Sequence, residues 1–62
     1  MNSTVKVNLG NGNEKSFEVS ATNVTRFLEG MKLIAQKDGL AVCWECSSER
    51  RGVYASGMFL PT

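Results

Sequence analysis

The sequence predicts an α+β domain of ββαββ order, a four-stranded mixed sheet with one helix packed on one face. Three observations predict it. Two short alternating segments, residues 4–9 and 15–19, flank a Gly-Asn-Gly-Asn turn. A stretch of helical periodicity follows over residues 20–38. Two more alternating segments, residues 40–47 and 53–60, flank a polar connection.

In the first segment Val5, Val7 and Leu9 alternate with Thr4, Lys6 and Asn8, the period of a strand with one buried and one wet face. Asn11-Gly12 has the composition of a tight hairpin turn. Phe17 and Val19 then alternate with Ser16 and Glu18, completing a first hairpin.

Ser20 or Thr22 can cap the helix, although neither is followed by Glu or Gln at the capping-box position. At about 100° per residue, Val24, Phe27, Leu28, Met31, Ile34 and Ala35 fall on one side and form a core-facing stripe. Asp38-Gly39 ends the helix, Gly39 being suited to a left-handed cap. Leu33 points away from the stripe, with Gly30 beside it on the outer face. It reads either as an ordinary single exposed leucine or as a contact point at which another backbone approaches over Gly30.

The third strand sets Leu40, Val42, Trp44 and Cys46 on one face and Ala41, Cys43 and Glu45 on the other. In the fourth, Val53, Ala55, Gly57 and Phe59 alternate with Tyr54, Ser56, Met58 and Leu60, and Pro61 stops the strand. Two hairpins joined by a helix favour a right-handed crossover. The simplest sheet then sets the first and last strands side by side and parallel, in order 2-1-4-3. A 1-2-3-4 meander is less favoured, because the helix would have to return the chain antiparallel beside the second strand. The 2-1-4-3 layout resembles the β-grasp arrangement in element order and length. No residue motif accompanies that resemblance, so no function is carried over from it.

Sixty-two residues make one domain, and a chain of this size hides only about 60% of its unfolded surface. Domains this small often add a disulfide, a metal or a partner subunit. With 42% hydrophobic and 21% charged residues the chain is globular rather than disordered. A net charge of +1 and no long basic run argue against wide phosphate tracking. No stretch is long and apolar enough for a membrane span, and the polar start is not a secretory signal. Two cysteines are too few for a disulfide scaffold, so a cytoplasmic setting is expected. The sequons at Asn2 and Asn23 then read as chance matches.

Cys43-Trp44-Glu45-Cys46 is the one motif-like string. In a regular strand its cysteines point to opposite faces about 10 Å apart, beyond the roughly 7 Å a disulfide spans. A zinc site needs four ligands, and with no histidine and no other cysteine two chains would have to share it. The reading adopted is two small half-buried thiols, with no metal and no cofactor; a shared zinc site or a redox pair is the alternative. The absence of histidine and the scatter of the acids argue against general acid–base catalysis, and no side chain stands out as a catalytic nucleophile.

Binding is therefore the expected role. If Ala55 and Gly57 lie under the helix, Tyr54, Met58 and Leu60 are left on the open face beside Cys43 and Ala41; the opposite phase would expose Val53 and Phe59. One helix covers one side of a sheet, so such a patch calls for a protein partner, first of all a second copy. Arg50-Arg51 at the hairpin tip is either a solvated turn or a grip for carboxylate or phosphate oxygens. Trp44 is either core or, if exposed, the best anchor in the chain. The resulting expectation is a non-enzymatic, self-associating protein-binding module, of the size and plainness of small inhibitors and regulators encoded by phages and other mobile elements. The alternatives are a nucleic-acid accessory using Arg50, Arg51, Lys6 and Tyr54, and a Cys43/Cys46 metal or redox module.

Overall fold

The computed structural model describes residues 2–10 and 12–61. The chain forms β1 (Asn2–Asn8), β2 (Glu14–Ser20), a single 3₁₀ turn (Ala21–Asn23), α1 (Val24–Asp38), β3 (Val42–Ser48) and β4 (Gly52–Phe59). This is an α+β fold with one four-stranded sheet and one helix.

The first hairpin forms as its composition predicts. Val5 lies opposite Phe17 and Val7 opposite Lys15. Gly10 and Gly12 both take φ of 84°, and the Leu9 N–H donates to the Asn13 carbonyl at 3.1 Å. Asn11, at the heart of the expected turn, lies outside the described residues.

The helix begins later than expected. The Ser20 and Thr22 hydroxyls bond to each other at 3.1 Å, and neither caps the helix. A 3₁₀ turn intervenes, and α1 starts after Asn23 with no side-chain cap. Its end is as predicted: Gly39 takes φ of 66°, which only glycine adopts freely, and its N–H donates to the Ala35 carbonyl.

The strand order is β2-β1-β3-β4, and every pairing is antiparallel. The expected mixed sheet of order 2-1-4-3, and with it the β-grasp layout, is therefore incorrect. The second hairpin is turned around: β3 rather than β4 lies against β1, with Val5 opposite Cys46 and Val7 opposite Trp44. The helix still carries the chain between two parallel strands, but these are β2 and β3, with β1 between them.

Burial explains the exchange. Val5, Val7, Val42, Cys46 and Ala35 form the buried core. Two of these belong to β3, whereas no residue of β4 is buried. The strand with more apolar bulk on its inner face takes the central position, because there it is covered from both sides. The inner face of β4 offers Ala55, Gly57 and Phe59, opposite Cys46, Trp44 and Val42.

The small residues of β4 serve a different neighbour from the expected one. A Cβ at Gly57 would lie 2.5 Å from Cζ2 of Trp44, and all three of its nearest atoms belong to that indole. The glycine makes room for Trp44 rather than for the helix. Trp44 also meets Phe59, ring centroids 5.8 Å apart. Cover over the sheet is thus shared: α1 packs against β2 and β3, and the indole reaches over β4.

Ile34 departs from the expected stripe. It is 46% exposed, whereas Val24, Phe27, Leu28 and Met31 pack on the core. Phe27 meets Phe17 of β2 at 5.1 Å. Two residues from Phe17 on that face of β2 stands Lys15, opposite Val7, and Ile34 is not among the residues packed on the core.

Gly57→Ala is expected to destabilise the fold by about 1–3 kcal/mol, the usual cost of overpacking, while Gly30→Ala, whose Cβ would meet nothing within 4 Å, gains up to about 1 kcal/mol of helix propensity. Urea unfolding of the two variants checks both signs.

Candidate binding surfaces of the second hairpin

The second hairpin closes through Glu49, Arg50 and Arg51, with Ser48 opposite Gly52. The Arg51 N–H donates to the Ser48 hydroxyl at 3.1 Å, pinning the turn. One step into the strands the ladder is irregular. Cys46 faces Ala55 and Ser47 faces Val53, so Tyr54 has no opposite number. It is the extra residue of a β-bulge, and a bulge reverses the alternation beyond it.

That bulge corrects the expected assignment of faces. Tyr54 is not on the open face with Met58 and Leu60. Its hydroxyl lies 2.7 Å from that of Ser3, and Ser3 is buried in line with Val5 and Val7 on the helix side of β1. Val53, expected under the helix, is instead opposite Ser47 and 56% exposed. Strict alternation across residues 53–60 cannot reveal this, since a bulge adds a residue without any distinctive side chain.

The remaining candidates divide among four places. Met58 (55% exposed) stands opposite Cys43 on the open face, and Leu60 (64%) follows just beyond β4. Arg50 and Arg51 lie at the turn, with the Arg51 guanidinium 5.4 Å from the centroid of the Tyr54 ring. Leu33 lies on the outer face of α1, 65% exposed next to open space over Gly30. Trp44 is half-buried on the core side, its indole N–H shielded from solvent and without a hydrogen-bond partner among the described residues. The structure thus gathers Met58 and Leu60 at one end of β4 and Arg51 and Tyr54 at the other, and leaves Leu33 and Trp44 apart from both. Val53 and Ile34 are exposed apolar residues that the sequence pattern assigned to the core.

The two thiols of the C-x-x-C string are free and face opposite ways, Cys43 exposed and Cys46 buried, as strand geometry requires. Desolvation raises the Cys46 pKa above its ordinary value. Among the described residues no cluster of three metal-ligating side chains occurs, and no helix is long and apolar enough to cross a membrane.

No family model matches the chain, and no curated protein or solved structure matches it.

Iodoacetamide should alkylate Cys43 in the native protein and Cys46 only when the fold opens; equal rates would place Cys46 at the surface. The raised Cys46 pKa also fixes a sign. The unfolded chain ionises this thiol first, so its contribution to stability is complete below about pH 8.5 and is lost as pH rises through the folded-state value. Cys46→Ala should flatten that alkaline decline in urea midpoints.

Proposed function

We propose that this chain is a small, non-enzymatic protein-binding module that pairs with a second copy of itself along β4. One observation carries the reading. The sheet has two edge strands, and they are unlike. β2 carries Glu14, Lys15 and Glu18, the usual protection against unwanted pairing. β4 carries no charged residue and no proline across its eight residues, and its outer backbone groups have no neighbouring strand.

The bulge at Tyr54 confines the regular edge to residues 55–59. An antiparallel pair of such edges about a two-fold axis at Gly57 sets Ala55 beside the partner's Phe59, and Ser56 beside the partner's Met58. Small side chains then meet large ones on both faces, which is the self-complementarity a two-fold interface needs. Main-chain bonds supply affinity, and Met58, with Leu60 next to it, supplies the apolar contact. Such a module acts by occupying a surface, as an inhibitor or regulator does. The lack of any histidine supports the non-enzymatic part of the reading.

Sedimentation equilibrium tests it. The wild type should form a dimer, and Met58→Lys should raise the dissociation constant by about tenfold or more, because each copy loses an apolar contact and gains a charge on the edge. Leu33→Asp, far from this edge, should leave the constant within about twofold, as distant surface changes do. A wild-type chain that stays monomeric at millimolar concentration would end the proposal.

A further inference from the structure

We propose a second site, at the opposite end of β4 from Met58: a cleft that binds a phosphate monoester. The cleft measures about 240 Å³ and is lined by Asn2, Ser3, Ala21, Ser48, Arg51 and Tyr54. Four parts of the fold meet there, namely the start of β1, the 3₁₀ turn, the turn of the second hairpin and the bulge in β4. Ala21, the first residue of the 3₁₀ turn, forms the apolar wall.

Most of the lining is apolar surface, and hydrogen-bond donors are set among it. Ser3 and Tyr54 share one bond at 2.7 Å. Two hydroxyls hold two protons, and that bond uses one, so the pair retains one O–H to donate. The Ser48 hydroxyl accepts from the Arg51 N–H, which leaves its own proton free. Asn2 adds an amide. Arg51 adds a planar guanidinium held over the Tyr54 ring at 5.4 Å, an arrangement that orients the fork.

Among the described residues no carboxylate lines this cleft. The ion pair among the described residues joins Lys6 to Glu14, so Arg51 has no acidic partner there. Glu49 lines the adjoining clefts instead. Donors from three directions around one cation fit a tetrahedral oxyanion with three free oxygens. A phosphodiester offers only two such oxygens and a carboxylate only two in one plane. A nucleic-acid backbone would moreover find a single arginine here and no basic track, on a chain of net charge +1.

The bulge is what makes the site. Without it Tyr54 would face the open side, out of reach of Ser3, and the guanidinium would lose its platform. The proposal does not depend on self-pairing, and the titration can be run on the Met58→Lys protein as well as on the wild type.

The test is an amide NMR titration at constant ionic strength with inorganic phosphate, dimethyl phosphate and acetate in separate arms. Phosphate should give saturable shifts confined to the residues of the cleft and their neighbours, and should bind at least about tenfold more tightly than the other two, the worth of one charge-assisted hydrogen bond. Arg51→Gln should weaken phosphate binding about tenfold or more, and Tyr54→Phe should weaken it less. Arg50→Gln should change it no more than about twofold, as for an exposed charge. Shifts that do not saturate, equal losses from Arg50→Gln and Arg51→Gln, or equal binding of dimethyl phosphate would each overturn the site.

Discussion

The indole of Trp44 lying over Gly57 is the contact on which the rest of this molecule depends. A domain of this size has one helix with which to cover four strands. The helix packs chiefly on β2 and β3, and the inner face of β4 needs further cover. Trp44 provides it, reaching sideways from β3 over Gly57, which has no Cβ, and meeting Phe59 beyond. Its shielded N–H goes without a partner among the described residues, at a cost of about 1–3 kcal/mol, so the ring's packing must outweigh that loss.

The architecture follows from this contact. Trp44 can reach Gly57 only if β3 and β4 are neighbours in this register, and Val42 and Cys46 on the same face are buried only if β3 is central. β4 is then an edge, and Gly57 on its inner face has no side chain where the indole fills the space above it. That edge carries no charge between the bulge and Pro61. The bulge limits that edge at one end and, by turning Tyr54 to Ser3, builds a polar corner beneath Arg51. Edge and corner are two consequences of how one strand is accommodated under one side chain.

Much of this is legible in the sequence. Period-2 alternation locates all four strands, and 3.6-residue periodicity with Gly39 locates the helix and its end. The opposite orientation of Cys43 and Cys46 follows from strand geometry alone. The sheet order is not legible in the same way, because alternation says which residues share a face and nothing about which strand is central. Ala55 and Gly57 read in the sequence as room for a helix, whereas the space over Gly57 is taken by Trp44, a neighbour that only three dimensions bring there. The faces of Val53 and Tyr54 were lost to a bulge that leaves no mark on composition. Ile34 fits the helical stripe, but whether a stripe residue is covered depends on the strands beneath, which periodicity does not show.

Hydrogen exchange at the amides of β3 and β4, followed as a function of protein concentration, tests this arrangement most directly. If β3 is central and β4 is a free edge along which copies join, all amides in the middle of β3 are slow at every concentration. Alternate amides within residues 55–59 exchange quickly in dilute solution and become protected as the concentration rises. If instead every amide of residues 55–59 is slow in the dilute monomer, or the fast ones stay fast at all concentrations, then β4 is either not an edge or not the edge that pairs.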